Sequence, residues 1–385
     1  MAPLTDSRGR VSNSPPWTRL LLLMLLLAYA PYIFSQDLWA HSYIKGDSYY
    51  YRAAIISIIE DGDLLVANNV AYDPLNGQLA VGRDGLVPKH PILLSLLGLP
   101  FYALFGSYGL LLFNLFLTLA LMGMLLQLNR LYLSPITAWI TTLLYGVATL
   151  FHNYVYNFSP DVLSTLLVLT GTYLLFRERV AYSGAFLGLA VFAKPLNLLP
   201  ISLLGLYLLW TQVQLSRNET SKYLLTISWR RLLIFAACLG LSLLPYLTTN
   251  YVLFGSPLVT GYQRIAVPGP SPESVAIATH VHDFNQSLLT NLHPVLFAPN
   301  KGLLTTNLII LLAIPGLVSL TRSPRRRELI LLAGISLAML LLIARYDFWY
   351  LGHFSNRFLM LVVIFSAPFT GWTIQQISQK YDWRL

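Results

Sequence analysis

The sequence predicts an all-α integral membrane protein with about ten transmembrane helices, in a range of about 9–11, and with juxtamembrane helices in a large first extracytoplasmic loop. Three observations predict this class. Of the 385 residues, 56% are apolar and 11% are charged, and the mean hydropathy is +0.61. The apolar residues form long runs, and the basic residues concentrate in alternate connections. Because soluble domains carry about 25% charged residues, this composition excludes an ordinary cytosolic enzyme, a disordered regulator and a nucleic-acid-binding protein.

The apolar runs define the predicted spans, because roughly 17–25 mostly apolar residues cross the hydrocarbon core as a helix. The runs cover residues 19–35, 108–127, 135–151, 161–176, 181–193, 195–214, 232–253, 302–320, 329–343 and 358–377. The polar start of the chain lacks a small-residue cleavage site, so we expect residues 1–18 to be a cytoplasmic tail before an uncleaved span. The membrane domain then covers residues 19–377, and residues 378–385 form a second cytoplasmic tail.

Residues 91–105 are an eleventh candidate, but the run is short and contains Gly98 and Pro100. The charge distribution argues against a span here. Without it, 16 of the 25 lysine and arginine residues lie on the inner side and 11 of the 16 acidic residues on the outer side. This asymmetry follows the positive-inside rule. We therefore predict a helix, broken at Gly98 and Pro100, that lies at the outer surface or re-enters the membrane against protein.

The same distribution fixes the expected topology. Residues 36–107 form the first outer loop, and residues 254–301 form a second large one. We expect a multi-pass protein of the plasma (inner) membrane with both termini in the cytoplasm and with any active site on the extracytoplasmic face. The net charge of +9 then reflects membrane insertion rather than an acidic partner. Cys238 is the one cysteine, so no intramolecular disulfide can form.

The first outer loop contains the segment GDSYYYR, in which Asp47 follows the first span. Ionisable groups near a membrane are costly unless they face a cavity or a partner. One interpretation is that Asp47 is a general base on a short helix; the alternative is that the acids of this loop only solvate it, which we favour for Glu60, Asp61 and Asp63. The EDGD sequence matches no complete calcium loop. We therefore predict no firm cofactor and keep a divalent cation as an open alternative.

Two lysines are further candidates. Lys89 and His90 begin the apolar segment 91–105, where they are placed either to meet a lipid headgroup or to extend to the interface as lysines commonly do. Lys194 ends a short ascending helix and is expected below the outer surface. An anionic phosphate is one natural partner for it, and a structural ion pair with Asp161 is the alternative.

Aromatic and charged residues also alternate in the late outer segments. Arg357 and His353 lie among aromatics in the segment RYDFWYLGHFSNRFLM, and Arg264 and Tyr262 lie in the second large loop. Such residues suit a sugar or headgroup pocket, although an interfacial aromatic belt has a similar composition. The sequence HVHD at residues 280–283 has ligand atoms for a metal, but a lone HxH is weak, so no metal site is predicted.

Taken together, several segments resemble the polytopic glycosyltransferases of the C-type fold, the superfamily of protein O-mannosyltransferases and bacterial aminoarabinose and oligosaccharide transferases. In chain order they are GDSYYYRAAIISIIEDGDL, KHPILLSLLGLPFYALFG, YNFSPDVLSTLL, GAFLGLAVFAKP, LFAPNKGLL and YDFWYLGHFSNRFLM. The resemblance covers roughly residues 37–365, and the order of the segments carries more information than any one of them.

The resemblance implies transfer of a sugar, with inversion, from a polyprenyl-phosphate donor to a glycan, lipid or protein acceptor on the outer face. Asp47 would be the catalytic base. Lys194 and Arg357 would bind the donor phosphate, and Lys89 is added to them from its place at the membrane surface. The predicted pocket residues are His90, Asp161, Tyr49, Tyr50, Arg52, Arg264 and His353. Where many relatives have a second acid after the base, this chain has Ser48.

Two other functions are consistent with a polytopic chain. A transporter or lipid flippase predicts inverted repeats and broken helices near the membrane midplane, and we find no convincing repeat in the sequence. A non-catalytic membrane scaffold predicts that Asp47, Lys194 and Arg357 lie far apart. Convergence of these three side chains within reach of one sugar phosphate would favour the transferase.

Overall fold

The computed structural model describes residues 16–35, 46–70, 75, 77–217, 223–271, 274–278, 283–350 and 355–381. Most of this part of the chain is helical. The helices are α1 (Pro16–Ser35), α2 (Asp47–Ile56), α3 (Leu93–Asn129), α4 (Pro135–Val147), α5 (Phe151–Tyr154), α6 (Pro160–Phe176), α7 (Val180–Ala193), α8 (Leu198–Gln212), α9 (Trp229–Phe254), α10 (Leu288–Phe297), α11 (Leu303–Thr306), α12 (Ala313–Gly316), α13 (Ser319–Arg322), α14 (Arg326–Ala344) and α15 (Met360–Lys380). The strands are β1 (Leu79–Val81), β2 (Leu86–Pro88), β3 (Val213–Arg217), β4 (Tyr223–Ile227), β5 (Ile265–Pro268) and β6 (Val275–Ala278).

Every apolar run of the sequence coincides with helical structure, which confirms the helical class. Within the described residues, four helices are long and apolar enough to cross a membrane by length and composition. They are α3, α9, α14 and α15 with the turn before it. Five of the six shorter apolar helices of 10–17 residues coincide with remaining runs, and the sixth, Leu288–Phe297, was not predicted. The total of about ten spans stays a prediction.

The segment at residues 91–105 breaks at a different place from the one predicted. Gly98 and Pro100 lie inside regular helix, so the prediction of a break there is wrong, and the break is at Gly106 (φ 59°, ψ −146°). Glycine occupies this backbone region far more readily than other residues. Beyond the break, Gly109 packs so closely on Phe101 that an added Cβ would lie 1.9 Å from its carbonyl oxygen. Residues 93–105 therefore fold back along the helix that follows them.

A small antiparallel sheet corrects the prediction of an all-α chain. Its strand order is β2-β1-β5-β6, so strands from the first outer loop pair with strands from the second large loop. The junction pairs Ala80 with Ile265, and Arg264 donates from Nε to the Val81 carbonyl oxygen at 2.8 Å. The strands were not predicted because each has only three or four residues and the pairing joins distant parts of the sequence. A second hairpin, β3 with β4, connects α8 to α9.

The helices around α15 position the site. α15 is buried along most of its length, whereas α9 exposes large apolar side chains, including Leu233 and Leu241 at 65% and 69% exposure. Only one face of α9 packs inward, where Gly184 and Gly188 of α7 meet its backbone; a Cβ on either glycine would lie 2.4–2.5 Å from a carbonyl oxygen of α9. Small residues let two helices approach this closely. This packing fixes the end of α7, and with it Lys194.

Candidate active site

Four charged side chains meet where helices begin or end. Asp47 is the first residue of α2, Asp161 is the second residue of α6, Lys194 follows the last residue of α7, and Arg357 begins the 3₁₀ turn Arg357–Leu359 that leads into α15. Carboxylates are favoured at helix N-termini and cations at C-termini by the helix dipole. Asp47, Asp161 and Lys194 therefore have the sign that their helix ends favour, whereas Arg357 is a cation at an N-terminal end and is compensated by Asp47 and Asp161.

The four side chains form one network in which the sign of the charge alternates. Lys194 donates from Nζ to Asp161 Oδ1 at 2.5 Å, and Arg357 Nε lies 3.7 Å from Asp161 Oδ2. Arg357 also donates from Nη2 to Asp47 Oδ2. Asp161 is the most enclosed member, with its side chain 2% exposed. The Lys194 and Asp161 pair is the alternative that the sequence left open for this lysine, and here it lies beside Arg357 and Asp47.

The second oxygen of Asp47 faces a histidine. His90 Nε2 lies 3.8 Å from Asp47 Oδ1, and His90 Nδ1 lies 2.9 Å from the Tyr262 hydroxyl. Burial acts to raise the pKa of Asp47, but the charge of Arg357 and its hydrogen bond outweigh burial and hold the pKa well below its usual value. Asp47 is therefore a carboxylate at neutral pH, and its strong contact with Arg357 makes it a weak base in this arrangement.

Ser48 occupies the position after Asp47 where many C-type transferases have a second acid, and its side chain makes a structural hydrogen bond. The Ser48 hydroxyl is buried and donates to Asn157 Oδ1 at 2.7 Å. This bond connects the first turn of α2 to the segment before α6, which carries Asp161. Ser48 therefore helps to hold Asp47 beside Asp161 without contributing a charge.

Lys89 is buried and points into the first outer loop. Its ammonium donates to the Gly77 carbonyl oxygen at 2.8 Å and to Gln78 Oε1 at 3.2 Å. Burial lowers the pKa of Lys89 to about 8, against a weaker upward effect of Asp47. Both of these hydrogen bonds go to the loop rather than to the four-residue network.

Three of the remaining predicted pocket residues, Tyr49, Tyr50 and Arg264, stabilise the structure around the four-residue network rather than belonging to it. Tyr50 is buried in a small core with Val66 and Leu79, and Tyr49 packs edge-on against it at 5.3 Å. Arg264 supports the sheet through Val81, as described above. Arg52 lies half-buried on α2, and His353 falls outside the described residues.

A cavity of about 390 Å³ opens beside the network, and sequence reasoning missed most of its wall. Among the described lining residues, Lys194 is the one charged side chain. Three aromatic rings form one wall of the cavity. The ring centroids of Phe284 and Tyr346 are 5.0 Å apart, and those of Tyr346 and Phe358 are 5.2 Å apart. The centroid of the Phe358 ring lies 4.5 Å from Lys194 Nζ. The sequence signal for this wall is the aromatic-rich segment before α15, but an aromatic belt at the membrane interface has the same composition. The full lining comprises Lys194, Pro195, Leu196, Leu258, Thr260, Tyr262, Gln263, Phe284, Ile343, Tyr346 and Phe358.

Two acidic residues of the EDGD sequence have structural partners. Asp61 accepts hydrogen bonds from Asn68 and Asn69, and Asp63 accepts from Ser57 and the Leu65 backbone. Among the described residues, no three histidine, cysteine, aspartate or glutamate side chains form a group that could hold a metal ion. His280 and His282 lie outside this part of the chain, so the HVHD sequence is not described.

Solved structures with a similar fold were found. ArnT from Cupriavidus metallidurans bound to undecaprenyl phosphate matches with a TM-score of 0.62 and 15% identity over 96% of this chain and 62% of that protein. The oligosaccharyltransferase of Archaeoglobus fulgidus in its apo form matches with a TM-score of 0.54 and 14% identity over 95% of this chain and 51% of that protein. This chain has the C-type glycosyltransferase fold. The resemblance seen in the sequence is confirmed at the level of the fold.

The C-type fold is also shared with the archaeal oligosaccharyltransferase AglB from Archaeoglobus fulgidus, in complex with an inhibitory peptide and a dolichol-phosphate. That match has a TM-score of 0.51 and 15% identity over 94% of this chain and 50% of that protein. The chain therefore spans less than two thirds of the length of the C-type proteins that it matches. No family model and no curated protein matches the sequence.

Proposed function

We propose that this protein transfers a sugar from a polyprenyl-phosphate-linked donor to an acceptor at the extracytoplasmic face of the membrane, with inversion and with Asp47 as the general base. The observation that carries the proposal is the convergence of Asp47, Asp161, Lys194 and Arg357 from four distant parts of the chain. The fold supports it, because the solved C-type structures include one bound to undecaprenyl phosphate and one in complex with a dolichol-phosphate.

Lys194 and Arg357 are the groups that would bind the donor phosphate. Both approach the carboxylate of Asp161, and both lie near the Phe358 ring, with Lys194 Nζ 4.5 Å and Arg357 Cζ 5.3 Å from its centroid. A phosphate leaving group develops charge as the sugar departs, and fixed cations that meet this charge usually supply the largest part of catalysis. Arg357 offers a planar pair of donors and Lys194 a compact charge, which suits adjacent oxygens of one phosphate.

Donor binding would also activate Asp47. In the structure Arg357 holds Asp47 Oδ2, and this attraction keeps the pKa of the carboxyl low. When Arg357 turns toward a phosphate, Asp47 loses that attraction, its pKa rises, and Oδ2 can accept a proton. The acceptor oxygen then bonds to the anomeric carbon as the bond from that carbon to the phosphate oxygen breaks. The hydroxyl proton passes to Asp47, and a single displacement inverts the anomeric centre.

The surroundings suit an amphiphilic donor. Six of the cavity-lining residues are apolar, namely Pro195, Leu196, Leu258, Phe284, Ile343 and Phe358. The first isoprene units can lie against such surfaces while the phosphate meets Lys194. Membrane lipid and a glycan, lipid or protein acceptor are the other proposed partners, and nucleic acid is not one. We place the protein in the plasma (inner) membrane as a multi-pass chain.

The alternatives gain less support. A non-catalytic scaffold requires separated side chains, and instead Arg357 contacts Asp47 directly and lies 3.7 Å from Asp161. A transporter or lipid flippase would need alternating access, and no observation on the described residues favours it.

The proposal is tested by the lipid-linked sugars of cells with and without the protein. Mass spectrometry of polyprenyl-phosphate sugars and of envelope glycans should show one lipid-linked sugar accumulating in cells that lack it. Asp47→Asn should cause the same accumulation, whereas Glu60→Gln, which removes the charge of an exposed acid of the same loop, should not. Unchanged lipid-linked sugars and glycans in cells without the protein would contradict the proposal.

A further inference from the structure

We propose that Tyr262 is a positioning residue for Asp47 that acts through His90. The inference rests on the proposed function, since it assigns a role within the same site. It is carried by a chain of three contacts: Tyr262 hydroxyl to His90 Nδ1 at 2.9 Å, His90 Nε2 to Asp47 Oδ1 at 3.8 Å, and Arg357 on the other Asp47 oxygen. Tyr262 belongs to the second large outer loop, about 170 residues from His90 and more from Asp47.

The backbone around Tyr262 is docked on the segment that carries His90. Tyr262 is the middle residue of the 3₁₀ turn Gly261–Gln263, which a reciprocal capping box between Thr260 and Gln263 stabilises. Gly261 lies so close to Lys89 that an added Cβ would be 2.3 Å from the Lys89 carbonyl oxygen. The distance from the turn to His90 is therefore fixed by backbone contact, and the tyrosine hydroxyl is delivered to the imidazole.

The hydroxyl determines which nitrogen of His90 carries the proton. Burial and the nearby Asp47 carboxylate raise the pKa of Tyr262 well above its usual value, so its hydroxyl stays protonated and can donate to Nδ1. A neutral imidazole that accepts at Nδ1 has its proton on Nε2. That proton faces Asp47 Oδ1, which is the arrangement that the negative charge of the carboxylate favours. Tyr51 stacks on the ring at 5.3 Å with an interplanar angle of 21° and holds its plane.

Asp47 then has a different partner on each oxygen. Arg357 contacts Oδ2, which is the atom that must accept the proton once Arg357 turns to the donor phosphate. His90 faces Oδ1 and has no such reason to move, so it keeps the carboxylate aimed when the arginine leaves. Tyr262 also lines the cavity, so the group that orients His90 lies in the wall that the donor would contact.

The first test needs no substrate. Diethyl pyrocarbonate acylates an imidazole nitrogen that has a free lone pair, and the Tyr262 bond protects Nδ1 of His90. In the full-length purified protein, Tyr262→Phe should raise the acylation rate at His90 about tenfold, the factor that corresponds to a hydrogen bond of ordinary strength. Tyr145→Phe is the matched control, because it removes a buried hydroxyl that bonds Ser366 and Thr370 and leaves His90 untouched. An unchanged rate at His90 in Tyr262→Phe would overturn the inference.

The second test separates positioning from direct contact with substrate. Detergent-solubilised membranes of cells that lack the protein serve as the probe, since they hold donor and acceptor together. Tyr262→Phe keeps the ring in the cavity wall and removes only the hydroxyl, so it should lower kcat about tenfold with the donor KM unchanged. It should add no further loss to His90→Asn, because both changes break the same chain of contacts. If the losses of kcat in the two single variants multiply in the double variant, or if Tyr262→Phe raises the donor KM, Tyr262 does not act through His90 and the inference is overturned. Absence of transfer by the wild-type protein would instead refute the proposed function, and the acylation test would still decide this inference.

Discussion

Asp47 and Asp161 both contact Arg357, yet their surroundings assign them different roles. Asp161 is almost fully enclosed, and Lys194 and Arg357 compensate its charge from two sides, so it organises the cations. Asp47 is about ten times more exposed, at 20%, and has one strong partner. Removing one member of an ion pair is most destabilising when the pair is fully buried and costs less as the pair gains contact with water. Asp47 is therefore the carboxylate that can exchange its partner during a reaction.

Lys89 provides a prediction at the same scale, because its hydrogen bonds assign it to the loop. Lys89→Gln should leave the donor KM within about twofold of the wild type, while Arg357→Gln and Lys194→Gln should raise it about tenfold or more through lost contacts to a charged group. Initial rates at varied donor concentration measure this difference. A donor KM that rises equally in all three variants would instead make Lys89 a phosphate ligand.

The pH dependence of stability offers a second measurement on the same lysine. The pKa of Lys89 is lowered from 10.5 to about 8 in the folded protein, so the unfolded chain binds more protons between these values. The wild type should therefore gain stability relative to Lys89→Gln as the pH rises from about 8 to 10. Tryptophan-fluorescence melting in detergent follows both proteins, and a constant difference across this range would contradict the buried position of the ammonium.

The sequence identified candidate site residues more readily than it identified which of them contact each other. Charged groups at the ends of apolar runs are conspicuous, so Asp47, Lys194 and Arg357 were candidates, and the pairing of Lys194 with Asp161 was one of two alternatives. The contact of Arg357 with Asp47 joins residues 310 positions apart, which no local pattern encodes. The sequence does not distinguish Tyr51 from the two tyrosines before it, and only the packing of α2 shows that its ring stacks on His90.

At the scale of elements, the break in α3 gives a prediction with an internal control. Gly106→Ala should cost about 1–3 kcal/mol, because its backbone conformation strains any residue with a Cβ. Gly109→Ala should cost at least as much, since its Cβ would require the Phe101 backbone to move. Gly123→Ala lies in the same helix with nothing within 4 Å and should be neutral or stabilising by about 0.5–1 kcal/mol.

Melting temperatures of the three variants measure these differences. The expected order of stability is Gly123→Ala first, then the wild type, then the two variants at the turn. Equal stability of Gly106→Ala and Gly123→Ala would contradict a sharp turn at Gly106.

Helices were predictable here and strands were not, for a physical reason. Long apolar runs specify a helix locally, because backbone groups in a membrane must be satisfied within the segment. The sheet depends on β1 meeting β5, which are separated by more than 180 residues and pair at Ala80 and Ile265. Gly98 and Pro100 misled the prediction because a helix tolerates them when neighbouring chain packs against it; a Cβ on Gly98 would lie 2.9 Å from Phe158.

At the scale of the whole molecule, the charge asymmetry predicts which loops face outward. In a background without Cys238, Asp84→Cys places a thiol on the exposed turn between β1 and β2, and Thr321→Cys places one on α13, next to the arginine-rich connection before α14. A membrane-impermeant maleimide should label the first variant in intact cells and the second only after permeabilisation. Labelling of both variants in intact cells would contradict the predicted topology.

The fold and the site together account for where the chemistry is proposed to occur. The sheet joins the two large loops that are predicted to face outward, and the same two loops supply His90 and Tyr262 to the side of Asp47. Asp161, Lys194 and Arg357 come from the ends of α6 and α7 and from the turn before α15, all of which belong to the apolar helix bundle. This arrangement brings a polar site to the edge of an apolar cavity, as a lipid-linked donor requires.

The most direct test of the account is transfer by purified Asp47→Asn, which keeps the size of the side chain and removes its basicity. Protein is added to solubilised membranes of cells that lack it, and the sugar on the acceptor is followed over time. We expect the rate to fall by about 10²–10⁴-fold, the usual contribution of a general base, while Glu60→Gln retains the wild-type rate. Transfer by Asp47→Asn at the wild-type rate would contradict the account.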